Sequence, residues 1–228
     1  MSTASASSAL PDYSVTFVPP RGWKETDLSP KGREKQIDAM VAPLVGKVVQ
    51  EQTLVPMLRE ALRTTLRNAW QSGVRYSIAT TPETYAPLNV IASYTVAVLP
   101  HAAPTGTQAD DLETIARSLL DRESEPDPHD GDIVELTKVK VPGIGLGVRA
   151  VTKLMLSAQA SSDHSDEASV PVTTLRTFLP FARGIIVATG TAYQEIYADE
   201  LVALFDAMTQ TLRAVDSSST SAQPYDAA

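Results

Sequence analysis

DIVELTKVKVPGIGLGVRAVTKLMLSAQASSDHSDEASVPVTTLRTFLPFARGIIVATGTAYQEIYADELVALFDAMTQTLRAV, residues 132–215, is the stretch whose reading decides the fold. It reads as strand, Gly-rich turn, strand, polar loop, two strands and a closing helix. Tyr197, Leu201, Leu204, Phe205, Met208, Leu212 and Val215 recur at spacings of three and four, which lines one stripe of an α-helix running to Val215. Asp199 and Glu200 fall in its first turn and Arg213 in its last, as the helix dipole favours. Upstream, Val170–Leu179 and Gly184–Thr191 are short, rich in β-branched residues and separated by Pro180 and Arg183-Gly184, the pattern of two strands joined tightly. A helix with one apolar stripe that follows a hairpin packs most simply across a sheet.

The same periodicities extend upstream. Ile133–Val141 and Val148–Ser157 read as strands joined through Pro142–Gly147. This glycine run has a G-x-G-x-G spacing, but a phosphate-cradling loop must lead into a helix N-terminus and here a β-like segment follows. A glycine-permitted turn or bulge is the expectation. Tyr13–Val18 alternates and reads as a strand stopped by Pro19-Pro20-Arg21-Gly22. Lys31–Val41 reads as a short helix, and Thr53–Gln71 as a longer one with Thr53 as N-cap and Gly73 just past its end. Leu54, Leu58, Leu62, Leu66, Ala69 and Trp70 are its expected buried stripe. Arg75–Thr80 and Val90–Leu99 read as strands. Gln108–Arg122 reads as a helix with Leu112, Ile115, Ala116, Leu119 and Leu120 on one face. Trp70 is expected in the core, and Trp23 fits either core or an interface. The fold class is therefore α+β: an antiparallel sheet of about six or seven strands, covered by helices on both faces.

Composition narrows the function. With 228 residues, 43% of them hydrophobic, the chain can bury a substantial core. It has no cysteine, which excludes disulfides, thiol chemistry and cysteine-ligated metal centres. The formal net charge of −8 is concentrated. Between Thr105 and Glu135 ten acids face only Arg117 and Arg122, which leaves 17 acids and 17 bases elsewhere. A general nucleic-acid binder carries a basic excess instead, so nucleic acid is not an expected partner. Val90–Leu99 is about half the length that spans a bilayer, so no membrane span is expected. Met1–Pro11 lacks the basic and apolar regions of a secretory signal, and a cytoplasmic location is expected. The organisation expected is one domain over residues 12–215, with disordered tails at 1–11 and 216–228.

No motif identifies an enzyme, and none is expected. There is no G-x-S-x-G elbow, P-loop or kinase signature. Asp127–Asp132 and Asp163–Glu167 resemble fragments of metal loops but lack the calcium-loop spacing, and no metal or cofactor is expected. His101, His129 and His164 fall in loops without histidine partners at i+4, so a catalytic triad would have to be assembled in space. The one candidate binding feature is Arg59, Arg63 and Arg67, spaced i, i+4, i+8 in a row beside the leucine stripe. Such a row is either a basic ridge for an acidic partner or a solvated helix face.

Five segments together resemble a known family. They are the strand leading into Pro19-Pro20-Arg21-Gly22-Trp23, then Val139–Lys153 with Gly147-Val148-Arg149, then TLRTFLPF at Thr174–Phe181, then Ile185–Thr191, then ELVALFDAMTQTLRAV at Glu200–Val215. The pattern resembles the PsbP-like α/β/α sandwich proteins common in actinobacteria, from about Tyr13 to Val215. The resemblance implies an antiparallel sheet closed by the last helix. It also implies an accessory role, since relatives of this class, such as extrinsic photosystem subunits and a Ran-binding nuclear-import factor, act by binding other proteins. The chain differs from the common form in its extra helix between Lys31 and Gln71. The function expected is non-enzymatic protein–protein interaction, with a secretion-system component or a toxin as the partner considered. A homodimer is the other assembly considered. The alternative function is a small-molecule or lipid carrier, with a pocket between the sheet and the helix over 53–71.

Overall fold

The computed structural model describes residues 13–43, 45, 54–85, 88–100, 112–118, 132–157, 169–181 and 184–216. In chain order these are strands β1 (Tyr13–Thr16) and β2 (Lys24–Glu25), helices α1 (Arg33–Val41) and α2 (Leu54–Gln71), and strands β3 (Val74–Ala79) and β4 (Ala92–Pro100). A helix over 112–118, α3, follows. Then come β5 (Asp132–Val141), β6 (Gly145–Ser157), β7 (Ser169–Phe181), β8 (Gly184–Ala192), one 3₁₀ turn at Glu195–Tyr197, α4 (Ala198–Gln210) and β9 (Arg213–Asp216). Seven strands form one antiparallel sheet in the order β2-β3-β4-β8-β7-β6-β5.

Alternation along the strands sorts side chains onto two faces. In β4, Ala92, Tyr94, Val96 and Val98 are buried while Ser93, Thr95, Ala97 and Leu99 are half-buried. In β8, Ile186, Ala188 and Ala192 join the main core, and Ile185 points to the opposite face. The α4 stripe Leu201, Phe205, Met208 and Leu212 completes the main core against Ile78, Tyr94, Val96, Leu175, Leu179 and Ile186. On the other face, Leu112 and Ala116 of α3 pack with Val148, Ala150, Phe178 and Ile185. The expected sandwich, one sheet covered on both faces, is thus the observed one.

One glycine fixes where α4 lies. A Cβ built on Gly190 would fall 2.2 Å from Cγ of Phe205, so the ring sits directly on bare backbone of a central strand. Around it, Tyr94 stacks at 6.2 Å between centroids and Trp23 approaches edge-on at 6.3 Å. Phe17 packs against Tyr94 at 5.0 Å, extending the aromatic cluster. Trp23 is therefore a core residue, and its indole N–H donates to the Tyr85 hydroxyl at 3.1 Å. Thr209 donates its hydroxyl proton to the Phe205 carbonyl at 2.8 Å and so accepts from the buried Tyr94 hydroxyl at 2.9 Å. Burial pushes the Tyr94 phenol well above its ordinary value, so it stays protonated and a donor at neutral pH.

The glycine run is the expected hairpin turn. Val141 pairs with Gly145, and Gly143 at the turn has φ of +84°, a conformation that costs glycine nothing. Two expectations are corrected. The closing helix does not reach Val215: it stops at Gln210, and residues 213–216 form β9, paired with β1 in a separate two-stranded sheet. Thr211 makes the break, because its hydroxyl donates to the Met208 carbonyl at 2.7 Å and accepts the Val18 N–H at 2.9 Å. Asp216, read as the start of a tail, is therefore the last residue of a strand. The remainder of that tail, the tail over 1–11, Thr53, all three histidines and the loop fragments Asp127–Asp130 and Asp163–Glu167 lie outside the described residues.

The packing of Phe205 on Gly190 has a direct test in urea unfolding. Phe205→Ala should cost about 3–5 kcal/mol, as large aromatic truncations in a closed core do. Gly190→Ala should cost about 1–3 kcal/mol through overpacking. Combining Gly190→Ala with Phe205→Leu should cost clearly less than the two separate changes together, because the smaller side chain makes room for the methyl.

Candidate functional site

The helical hairpin α1–α2 stands apart from the sheet core. Its own small core consists of Leu28, Ile37, Val41 and Leu66, with Val55, Leu62, Ala69, Trp70 and Val74 packed around them. Helix α2 therefore rests on α1 and reaches the sheet at Val74, the first residue of β3. The packed side of α2 thus faces Ile37 and Val41 of α1 together with Leu28 and Val74. Trp70 is half-buried here, with the Arg75 guanidinium 4.3 Å from its ring centroid.

The expected buried stripe of α2 holds at Leu62, Leu66, Ala69 and Trp70 and fails at Leu54 and Leu58. Residues spaced by four advance about 40° around a helix at each step, so a long i+4 series drifts off any one face. Leu66 and Leu62 stay on the packed side, but Leu58 is 37% exposed and Leu54 is 56% exposed. Leu54, Met57 and Leu58 fall instead on one outward row, with Met57 64% exposed. Met40 of α1 and Val45 just beyond it are also exposed. These outward apolar residues were missed in the sequence. The available signal was that apolar positions 54, 55, 57, 58, 62 and 66 occupy more of the helix circumference than a single neighbouring helix can cover.

The arginine row is resolved residue by residue. Arg59 forms an ion pair with Asp38 of α1. Arg63 grips Glu34 with two parallel bonds, Nε to Oε1 and Nη2 to Oε2, each 2.8 Å, and its Nη1 lies 2.5 Å from Glu60. Arg67 is exposed and has no ion-pair partner among the described residues. The structure therefore does not bring the three together as one free ridge: two of them lace α2 to α1. The complementary signal was legible, since Glu34 and Asp38 are also spaced i, i+4, and antiparallel helices place them opposite Arg63 and Arg59. Among the described residues no group of three or more metal-ligating side chains clusters. Among them, too, no helix is long and apolar enough to cross a membrane.

These pairs and the apolar contacts beneath them should behave differently under mutation. Leu66→Ala should lower stability by about 2–5 kcal/mol, whereas Glu34→Gln should leave the urea midpoint nearly unchanged, as exposed pairs usually do. The hydrogen bond from Arg63 holds the Glu34 carboxyl below its usual range. Its folded value is thus depressed, so the pair contributes fully at neutral pH and is lost only as pH falls through that lowered value, beneath the usual carboxylate pKa of about 4.3. An NMR titration of the Glu34 carboxyl should show this, and Arg63→Gln should return the midpoint toward the ordinary value.

No family model matches this chain, and no curated protein does either. Among solved structures, it is similar to the solution structure of cyanobacterial PsbP (CyanoP) from Synechocystis sp. PCC 6803, at 11% identity and a TM-score of 0.43, over 93% of this chain and 98% of that one. It is also similar to the crystal structure of LpqN, described as involved in cell envelope biogenesis of Mycobacterium tuberculosis, at 8% identity and a TM-score of 0.44, over 92% of this chain and 87% of that one. A PsbP structure is among these neighbours. These likenesses are of fold, and the assignment of a surface rests on the chain's own residues.

Proposed function

We propose that the chain is a non-catalytic accessory protein that binds another protein through the outward side of the α1–α2 hairpin. The observation that carries this reading is the row Leu54, Met57 and Leu58, left exposed by a helix whose other side packs on α1 through Leu62 and Leu66. Long aliphatic side chains gathered on one helix face are unfavourable in water and are the usual anchors of helix-mediated docking. Methionine suits such a surface because its flexible thioether adapts to a partner's shape. Arg67, on the flank of the same helix, offers a charge to an acidic rim. A cytoplasmic location belongs to the same proposal, and cell fractionation tests it. So does the finer assignment of a secretion-system component or toxin as the partner, which is decided by identifying the protein retained.

Affinity capture from cells that naturally produce the chain tests the reading. The wild-type protein should retain one partner in stoichiometric amount at physiological salt. The double variant Leu54→Glu, Met57→Glu changes only exposed positions, so its unfolding midpoint should be unaltered while retention falls at least tenfold, about 1.4 kcal/mol of binding free energy. Capture of abundant non-specific proteins alone, or full retention by the variant, would overturn the proposal.

A further inference from the structure

The apolar core under α4 contains one polar group of residues at its β5–β6–β7 end. Arg149 of β6 donates through Nη2 to Glu135 of β5 at 2.8 Å, and its Nη1 lies 3.5 Å from Oδ1 of Asp206 on α4. Thr177 of β7 is the direct cross-strand partner of Arg149, so both side chains stand on the same face of the sheet. Three atoms of this group are buried without a hydrogen-bond partner among the described residues: Arg149 Nε, Thr177 Oγ1 and Asp206 Oδ1. Thr177 is 1% exposed. Each such atom costs free energy if left alone, and three neighbouring ones are unusual in a folded core.

We infer that Arg149, Thr177 and Asp206 form the binding site of one internal water molecule that joins α4 to strands β6 and β7. The chemistry of the three atoms selects the occupant. Arg149 Nε–H can only donate, the Asp206 carboxylate can only accept, and the Thr177 hydroxyl does either. A bound molecule must therefore accept from the first, donate to the second and exchange a bond with the third. Water does all three, within the two to four bonds that buried waters make. An anion is disfavoured because Glu135 and Asp206 outnumber the single guanidinium, and a cation is disfavoured by the inward Nε–H. The side chains of Arg149 and Asp206 keep 23% and 31% of their surface exposed, so the group lies near the surface of the domain.

The site also gives a role to Asp206, which stands beside the apolar stripe of α4. Asp206 follows Phe205 directly, so the water would hold α4 on the flank next to the ring that seats it.

A crystal structure of the full chain at better than about 1.5 Å, with Thr177→Val beside it, decides the matter. We expect one ordered density peak within hydrogen-bond distance of Nε, Oγ1 and Oδ1 in the wild type. In Thr177→Val, which keeps the shape and removes the hydroxyl, the peak should weaken or vanish and the urea midpoint should fall. If Thr177 Oγ1 is an orphan instead, the same variant relieves it and the midpoint rises. A higher midpoint, or a wild-type structure in which Thr177 bonds Asp206 directly with no density between them, would overturn the inference. Should the valine variant fail to fold, the wild-type density alone decides.

Discussion

The seat of Phe205 on Gly190 is the contact on which the rest of the architecture depends. A central strand normally presents a side chain at every second position to each face. At Gly190 it presents none, and a Cβ there would lie within 2.2 Å of the ring. The helix can therefore approach closely only where Phe205 meets this gap, which fixes α4 along and across the sheet. Leu201, Met208 and Leu212 then fall over the buried residues of β4, β7 and β8. Trp23, Tyr94 and Phe17 assemble around the ring, drawing in the segment that follows β1. Because α4 ends at Gln210, the chain emerges where β9 can pair with β1, and the two ends of the described domain meet in one small sheet.

Against that closed core the α1–α2 hairpin is built on a smaller scale. Its packing rests on four buried side chains and on charge pairs at the surface, and such pairs contribute little to stability. The arginines that looked available for a partner are largely committed to Glu34, Asp38 and Glu60. Among the residues the hairpin leaves to solvent are several large apolar ones: Leu54, Met57 and Leu58 on α2, Met40 on α1, and Val45 just beyond α1. The surface proposed for docking thus lies on a helical hairpin with its own small core, outside the main core of the sandwich.

Much of this was legible in the sequence because local periodicity and global packing agree over most of the chain. Strands β3 to β8 follow alternation and β-branched content, and α4 follows a three-and-four spacing that the sheet does use. The glycine turn was readable because nothing after it could begin a helix. The failures have physical causes. Residues 213–216 continue the α4 stripe by spacing, and only their pairing with Tyr13–Thr16, at the far end of the chain, makes them a strand. Strand β2 is two residues long, too short for any period. The stripe of α2 was misread at Leu54 and Leu58 because its apolar residues cover two faces, and only the position of α1 determines which one is buried. For the same reason the row Arg59, Arg63 and Arg67 left a basic ridge and a solvated face both open: spacing along one helix does not show which acids of its neighbour lie opposite. Trp23 was ambiguous until Phe205 and Tyr85 supplied its partners.

The central claim, that the sandwich is scaffold and the hairpin is the contact surface, can be tested without knowing the partner. A photo-crosslinking amino acid placed at Met57, in cells that naturally produce the chain, should yield one discrete crosslinked protein. The same probe at Leu146, which is 56% exposed at the start of β6, should yield none. A discrete product from Leu146 with nothing from Met57 would contradict the account.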